Sequence, residues 1–276
     1  MLVDLHMHTY FSDGTMSPEE VANEAKRTDL GVIAVTDHNN LEAYESLKKA
    51  CDNHGILAIR GVEIDCRYKD RVVHILAYNF NDNEKLFNLI KKAKENLLET
   101  STRLVERMSK DYDSISSSDY EKYEYDRRKG GWKGIHYLFD KGLTTSLLEG
   151  TKFYREYGCD YIEFDFPTVE EVCEAINEAE GCAVLAHPSN YYSNLSREEL
   201  LEVLEDVKSK GVRGVECYYP SNGPELTETC VEFCKKNNLI ITAGSDSHGE
   251  FTKTSKGVEY YIGAVKKDSK DLNLNF

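Results

Sequence analysis

His6 and His8, close to the start of the chain, have the spacing of a pair of metal ligands. The apolar residues that begin at Leu2 predict a short buried strand leading into this pair. Because alternate side chains of a strand share one face, both imidazoles should project together from the end of that strand, beside Asp13 in the following loop. The pair alone leaves two alternatives open, half of a metal site or a hydrogen-bonded pair of surface histidines.

Polar residues able to bind metal recur where later apolar runs end. His38 follows the apolar run 32–35, and His187 follows the run 183–186. The full set of candidate ligands comprises His6, His8, Asp13, His38, Glu63, His74, His187, Asp246 and His248. Any one of them could instead be a core residue with an ordinary hydrogen bond. Their shared position at strand ends favours one common metal site.

Helix signals separate these apolar runs. Capping boxes, in which a Ser or Thr is followed three residues later by Glu, predict helix starts; they occur at Ser17–Glu20, Thr168–Glu171 and Ser196–Glu199. About seven strands alternating with helices indicate an α/β fold, a closed or nearly closed parallel barrel with its active site at the carboxyl ends of the strands. That face is where the candidate ligands are expected to meet.

The segment 83–167 interrupts this alternation. It is polar, poor in strand-like runs, and carries apolar residues at helical spacing, as at Leu86, Leu89 and Ile90. We interpret it as an inserted, mainly helical domain that recognises the substrate as a lid. Residues 1–82 and 168–276 then form the metal-binding barrel.

The formal net charge of −15 over 276 residues disfavours binding to extended duplex nucleic acid, whose phosphate backbone requires a positive protein surface. A small anionic substrate is compatible with this charge, because bound cations invert the local field. No apolar run of about 18 residues predicts a membrane span, and the N-terminus shows no basic-then-apolar leader. A cytoplasmic location and reduced cysteines are therefore expected.

The motifs, taken in order, resemble those of the PHP (polymerase and histidinol phosphatase) superfamily of metal-dependent phosphoesterases. They are Asp4-Leu5-His6-Met7-His8, Ser12-Asp13-Gly14, Thr36-Asp37-His38, Gly61-Val62-Glu63, the His74 strand, Ala186-His187-Pro188 and Gly244-Ser245-Asp246-Ser247-His248. The chain is most similar to the stand-alone subgroup with a helical insertion, which includes 3′,5′-nucleoside bisphosphate phosphatases and 5′–3′ exonucleases acting on short RNA. The resemblance implies a distorted seven-stranded (β/α)7 barrel that holds up to three metal ions.

The resemblance also implies how the ligands divide. The first metal would take His6, His8, Glu63 and Asp246; the second would share Glu63 and add His74 and His187; the third would take Asp13, His38 and His248. A shared carboxylate can hold two cations close together, and a hydroxide bridging them is a nucleophile at neutral pH. Imidazole and carboxylate ligands without thiolate suit Mn, Fe or Zn, so about two to three ions are expected, with Mn favoured. Glu63, Asp246 and His248 are the candidate catalytic residues.

Substrate contacts follow the family pattern less closely. Nucleotide-processing relatives tend to carry an Arg after the His-Pro motif, whereas Ser189, Asn190 and Tyr191 follow it here. The densest basic group lies in the insertion, around Gly130 and Gly131. Arg can bind phosphate through two parallel hydrogen bonds, and a Trp could stack on a base. The candidate substrate contacts are Arg127, Arg128, Trp132, Lys133, Ser189, Asn190 and Tyr191, with ordinary packing or solvent exposure as the alternative.

Together these features predict a hydrolase that removes phosphate from a small phosphorylated metabolite, most readily a nucleotide or short RNA. L-histidinol-phosphate phosphatase is an alternative that uses the same metal face, although the insertion disfavours it mildly. A non-catalytic metal-binding regulatory module is a second alternative. Missing ligands would mark such a module, and none of the nine candidate positions is lost. The sequence does not indicate an oligomeric state.

Overall fold

The structure, a computed structural model, describes residues 1–255 and 257–274. Residues 256, 275 and 276, which belong to the predicted barrel segment 168–276, lie outside the described residues. The strands are β1 (Leu2–Asp4), β2 (Leu30–Ile33), β3 (Leu57–Ala58), β4 (Gly61–Tyr68), β5 (Arg71–Tyr78), β6 (Cys182–Leu185), β7 (Gly214–Tyr218), β8 (Ile240–Ala243), β9 (Thr254–Ser255), β10 (Val258–Glu259) and β11 (Lys267–Asp268).

The α-helices are α1 (Pro18–Arg27), α2 (Tyr44–His54), α3 (Glu84–Met108), α4 (Ser117–Lys122), α5 (Lys133–Asp140), α6 (Thr151–Glu156), α7 (Val169–Glu178), α8 (Ser189–Tyr192), α9 (Arg197–Ser209) and α10 (Pro224–Asn237). Short 3₁₀ turns span Arg127–Lys129, Leu148–Gly150, Tyr161–Glu163 and Ser269–Asp271. All three predicted capping boxes form, and they begin α1, α7 and α9. These caps satisfy backbone N–H groups that a helix start leaves unpaired.

The strands form two main sheets. One has the order β11-β1-β2-β3 and the other the order β4-β5-β6-β7-β8, while β9 and β10 form a separate hairpin. Parallel pairs join β1 to β2, β2 to β3, β6 to β7 and β7 to β8. In contrast, β5 pairs antiparallel with both β4 and β6. The fold is therefore mixed α/β, as the sequence predicts.

The closed parallel barrel is the part of the fold prediction that the structure does not show. No closed barrel is found among residues 1–255 and 257–274, because the strands divide between two sheets. The parallel alternation breaks between β4 and β5, where a tight turn at Lys69 and Asp70 replaces a helix and reverses the chain. Lys69 adopts a φ of 53° in this turn.

Isolated contacts link the ends of the two sheets. Met7, just after β1, forms a parallel bridge with Ser247, which follows β8. His38, which follows β2, forms a parallel bridge with Glu63 on β4. Residues that follow strands of one sheet are thereby held against residues of the other sheet.

The segment 83–167 is mainly helical and packs against the five-stranded sheet. Asn83 caps α3, its side chain accepting the Leu86 N–H at 3.0 Å. Leu86 belongs to the same hydrophobic cluster as Ile64 of β4 and Ile75 of β5. The division of the chain into a barrel and an inserted domain therefore stays a prediction.

Two further expectations concern the membrane and the cysteines. None of the helices in the described part of the chain has both the length and the apolar character needed to cross a bilayer. The eight cysteines are buried as free thiols. Burial raises the pKa of the Cys173 thiol to about 12, so this thiol is a neutral packing group at pH 7.

Candidate metal centre

His6 and His8 occupy the extended segment that follows β1. The His8 N–H donates to the Ser247 carbonyl at 2.9 Å, and the His6 carbonyl accepts from the Asp246 N–H at 2.8 Å. Both side chains are buried, with ring centroids 5.2 Å apart, and Met7 between them packs into a hydrophobic cluster. The two imidazoles therefore share one face, as their spacing predicts.

Glu63, on β4, lies at the centre of the histidine cluster and is 0% exposed. Its Oε2 lies 3.2 Å from Nε2 of both His6 and His8, and 3.3 Å from Nδ1 of His38. None of these four atoms has a hydrogen-bond partner. The nitrogens and the oxygen therefore face a common space rather than one another.

The other oxygen of Glu63 faces a second pair of imidazoles. Its Oε1 lies 2.8 Å from His74 Nδ1 and 2.8 Å from His187 Nε2. His74 projects from β5, and His187 follows β6 with a φ of 25°. One carboxylate with an oxygen toward each group is the arrangement that can bridge two cations.

Asp246 and His248 follow β8. Asp246 has a φ of 52°, a left-handed conformation that Asp and Asn adopt more readily than most residues, and its Oδ1 lies 3.1 Å from His8 Nε2. His248 Nδ1 is 2.9 Å from the Asp246 carbonyl oxygen. This contact leaves His248 Nε2 facing Oδ1 of Asp13 at 3.2 Å.

The ligand atoms fall into overlapping groups, each small enough to hold one ion. In residues 1–255 and 257–274, donor atoms within 4.8 Å of one another form the groups His6–His8–Glu63–Asp246, Glu63–His74–His187, His8–Asp13–His38–His248 and His38–Asp65–His74. The first two groups coincide with the division that the resemblance implies, and the third does so with His8 added. The structure brings all nine candidate ligands together, and their binding of metal stays a prediction.

The chemistry of the cluster fits divalent cations. Buried polar atoms in folded proteins nearly always have a hydrogen-bond partner. Unpartnered atoms converge here: His6 Nε2, His8 Nε2, Asp13 Oδ1, His38 Nδ1, Glu63 Oε2 and Asp65 Oδ1. Bound cations would satisfy the atoms that face the shared space, and the imidazole and carboxylate set suits Mn, Fe or Zn.

The cluster carries unusual charges when no metal neutralises it. Burial opposes ionisation of Glu63, but attraction to His6 and His38 outweighs burial and holds the pKa of Glu63 well below its usual value. Burial also opposes a charge on His8, but Asp246 and Glu63 outweigh it and raise the pKa of His8 to about 10. Protons thus reside on imidazoles whose ligand form is neutral, and metal binding would displace them.

Glu216, on β7, is a buried residue that the sequence analysis did not select. Its Oε1 lies 3.0 Å from His6 Nδ1, and its Oε2 accepts the His187 N–H at 2.7 Å. A carboxylate behind a ligating histidine fixes the ring orientation. A Cβ on Gly244 would overlap the His6 Cβ and Glu216 Oε1, so this close approach requires glycine. The available signal was a charged residue inside the apolar run 212–217.

Asp37, also buried, fixes the loop that carries Asp13. Its carboxylate accepts hydrogen bonds from the Thr9 N–H at 2.8 Å, the Thr9 hydroxyl at 2.6 Å and the Ser12 hydroxyl at 2.5 Å. All three donors lie in the loop after His8. Asp37 therefore positions a candidate ligand without belonging to any of the groups that could hold an ion.

The basic loop of the insertion lies against the Asp13 loop. The Gly131 N–H donates to the Asp13 carbonyl at 2.7 Å. Arg128, however, is bound by both carboxylate oxygens of Glu20 at 2.7 and 2.9 Å. Lys133 donates to the backbone carbonyl of Glu121 at 3.2 Å. The loop thus approaches the centre, but two of its three candidate cations already have protein partners.

The remaining two candidates of this loop differ from each other. Trp132 Nε1–H donates to the Tyr154 hydroxyl at 2.7 Å, and its ring lies edge-on to the Phe251 ring with the ring centroids 6.5 Å apart. Arg127 is exposed, and its guanidinium has no hydrogen bond or ion pair with the described part of the chain. Among the three candidate cations, Arg127 is therefore the one available to a ligand.

Ser189, Asn190 and Tyr191 lie in the short helix α8, which follows His187-Pro188. The Tyr191 hydroxyl accepts the His74 N–H at 3.0 Å, and its ring centroid is 5.3 Å from that of His187. Ser189 is buried, and its hydroxyl lacks a hydrogen-bond partner. Tyr191 therefore forms a wall of the second group of ligands.

Tyr219, beyond β7, is another residue that the candidate set omitted. Its hydroxyl donates to Asp246 Oδ2 at 3.2 Å and lies 3.4 Å from the Asn190 amide nitrogen. Burial, followed by the nearby Asp246 charge, raises the pKa of Tyr219 far above its usual value. The hydroxyl therefore keeps its proton and acts as a donor to the Asp246 carboxylate.

Known proteins to which this chain is similar include metal-dependent phosphoesterases. Residues 4–137 match the family model of the PHP domain. A Haemophilus influenzae protein named 5′-3′ exoribonuclease is 25% identical over 255 residues, covering 89% of this chain and 89% of the relative. A Chromobacterium violaceum 3′,5′-nucleoside bisphosphate phosphatase is 23% identical over 262 residues, covering 89% of this chain and 87% of the relative.

A solved structure from Bifidobacterium adolescentis, described as a metal-dependent phosphoesterase, superposes with a TM-score of 0.75 and 26% identity over 93% of this chain and 92% of that chain. The fold and the histidine–carboxylate cluster thus define a protein of the metal-dependent phosphoesterase class. The predicted resemblance to the PHP superfamily is confirmed, since the family model of the PHP domain matches residues 4–137 and the relatives and the solved structure span most of the chain. The prediction of a hydrolytic enzyme is confirmed at the level of this class.

Proposed function

We propose that this protein hydrolyses a phosphomonoester of a small phosphorylated metabolite, with a nucleotide such as a 3′,5′-nucleoside bisphosphate or a short oligonucleotide as the substrate class. The observation that carries the proposal is the position of Glu63, whose two oxygens face separate imidazole groups. Two divalent cations sharing one carboxylate, when bound, supply a water nucleophile at neutral pH and neutralise phosphate charge.

Three residues have defined tasks in this proposal. Glu63 aligns the two groups of imidazoles from its position on β4. Asp246 accepts the proton of the attacking water, and the Tyr219 hydroxyl, 3.2 Å from Oδ2, fixes the orientation of that carboxylate. His248 faces Asp13 at 3.2 Å, on the side where we place the leaving oxygen of the substrate.

The nucleotide assignment is supported by the relatives and by the insertion. Among the relatives that span most of the chain are proteins named for action on RNA and on a nucleoside bisphosphate. The basic loop touches the Asp13 backbone, and Arg127 is available for a distal phosphate. In this proposal the segment 83–167 is the substrate-recognition domain. The substrate path is lined by Arg127, Arg128, Trp132, Lys133, Ser189, Asn190 and Tyr191.

Two alternatives make different predictions. L-Histidinol-phosphate phosphatase would use the same metal centre with a substrate that lacks a second phosphate. A non-catalytic module would bind metal and hydrolyse nothing. All nine candidate ligands are retained and belong to overlapping groups. This favours the catalytic proposals, because a module that has lost catalysis need not keep every ligand.

The deciding experiment is a substrate panel on purified, Mn-loaded protein. The panel comprises an aryl phosphate, 3′,5′-nucleoside bisphosphates, histidinol phosphate, dinucleotides and short RNA. We expect phosphate or nucleotide release with the highest kcat/KM on the nucleotide substrates. A preference for histidinol phosphate would support that alternative, and absence of hydrolysis in metal-saturated protein would refute the enzymatic proposal. Glu63→Gln, prepared in the same way, controls for contaminating phosphatases.

A further inference from the structure

Asp65 is a buried carboxylate of the centre that lies outside the nine candidate ligands. It follows Glu63 by two positions on β4, so the two side chains share one face of the strand. The antiparallel register places Asp65 directly opposite His74 on β5. The residue is 1% exposed, so its charge needs partners within the protein.

Asn39 holds one half of this carboxylate. The Asn39 side-chain amide donates to Asp65 Oδ2, and the Asp65 N–H donates to Asn39 Oδ1 at 3.1 Å. Asn39 has a φ of 48°, which Asn tolerates better than most residues, and its N–H donates to the Glu63 carbonyl at 2.8 Å. This double contact fixes the orientation of the Asp65 side chain, and Oδ1 takes no part in it.

Oδ1 points into the shared space of the ligands. It lies 3.0 Å from His74 Nε2 and 4.0 Å from His38 Nδ1. Despite the short distance to His74, Oδ1 has no partner in hydrogen-bond geometry. Glu63 Oε2 shows the same pattern, since it lies 3.2 Å from His6 Nε2 without a hydrogen bond. Oδ1 and the imidazole nitrogens therefore converge on a point between them.

We propose that Asp65 is an additional metal ligand, which binds through Oδ1 together with His74 and His38. This inference rests on the metal centre of the proposed function and extends it. With Asp13, Glu63 and Asp246, it makes Asp65 the fourth carboxylate facing the centre. Added carboxylate charge strengthens the binding of a further cation and shifts the ligand set toward ions that accept oxygen, such as Mn.

The alternative role of Asp65 is to orient His74 by hydrogen bonding, without touching metal. A crystal structure of the Mn-loaded protein, with anomalous scattering to locate the ions, separates the two roles without a mutation. We expect Oδ1 within about 2.0–2.3 Å of an ion, the range of carboxylate–metal bonds. An Oδ1 that lies beyond bonding distance of every ion and accepts the His74 Nε2–H would overturn the proposal.

Mn titration without substrate gives the second measurement. Asp65→Asn keeps the shape and the contact with Asn39 but removes the charge. It should raise the dissociation constant of one ion by more than about tenfold, the smallest effect typical of groups that only orient a ligand. Asp70→Asn is the control, because Asp70 lies in the turn between β4 and β5, is exposed and belongs to none of the ligand groups. It should bind Mn as the wild type does.

The two measurements also separate this inference from the proposed function. Equal Mn affinity of the wild type and Asp65→Asn would overturn the role of Asp65 while leaving the other nine ligands in place. Wild-type protein that binds no Mn would overturn the metal centre itself. If Asp65→Asn does not fold, as judged by circular dichroism, the crystal structure of the wild type decides alone.

Discussion

The Asp246→Asn substitution separates the chemistry of Asp246 from its contribution to the fold. Asn has the shape of Asp and tolerates the φ of 52° at this position, so the backbone can stay as it is. The Asn side chain can place its oxygen 3.1 Å from His8 Nε2 and its nitrogen 3.2 Å from the Tyr219 hydroxyl, as the two Asp oxygens lie now. The free energy of unfolding should therefore change by about 1 kcal/mol or less, the contribution of one hydrogen bond.

Turnover should change far more than stability. An amide does not accept a proton from water at neutral pH, and a positioned acid–base group contributes about 10²–10⁴-fold to the rate. We expect kcat on an aryl phosphate to fall by at least about a hundredfold, equivalent to about 2.7 kcal/mol of barrier. The substitution also removes one negative charge from a candidate metal group, so metal content must be measured on the same sample.

The assay compares kcat, metal content and thermal unfolding of wild type, Asp246→Asn and Asp29→Asn. Asp29 is the matched control because it is exposed, has a φ of 60° and lies outside the candidate metal groups. The control should match the wild type in all three measurements. Near-normal turnover of Asp246→Asn at full metal occupancy would refute a proton-accepting role for Asp246.

Three other perturbations follow from the same contacts. Tyr219→Phe removes the hydroxyl that donates to Asp246, so kcat should fall about fivefold, equivalent to roughly 1 kcal/mol, with metal content unchanged; an unchanged kcat would contradict the positioning role. Arg127→Ala should lower kcat/KM for a 3′,5′-nucleoside bisphosphate about tenfold or more while sparing an aryl phosphate. Arg128→Ala should have a smaller effect, because Glu20 already binds the Arg128 guanidinium. Equal effects of Arg127→Ala on both substrates would argue against a distal phosphate site. Chelation should lower Tm by roughly 5–10 °C, because an ion at a free concentration about a hundredfold above its Kd stabilises the folded state by about 2.7 kcal/mol. An unchanged Tm in scanning fluorimetry would argue against tightly held metal.

The sequence predicts the gathering of the nine candidate ligands because their positions follow from local patterns. Most of them lie at or near the end of an apolar run, as His38 and His187 do, and strand ends of an α/β fold lie on one face; His74, inside β5, is an exception. The three capping boxes are local in the same sense, and all three form. Such a local pattern can be recognised in the sequence without knowing which strands pair.

The features that the sequence did not reveal depend on pairing between distant segments. Asp65 meets His74 through the register of an antiparallel pair, and Glu216 reaches His6 across 210 positions of the chain. The pairing of Arg128 with Glu20, 108 positions apart, is of the same kind. The predicted closed or nearly closed barrel is not confirmed for a related reason, since the direction of β5, antiparallel to β4 and β6, depends on pairing between strands.

We expect the nine candidate ligands to hold metal ions at one face of the fold. Elemental analysis of protein purified without chelator and then incubated with Mn tests this expectation most directly. We expect about two to three ions per chain in the wild type, and a clear loss in Glu63→Gln because Glu63 faces both groups of imidazoles. Less than one ion per chain in the wild type would contradict it.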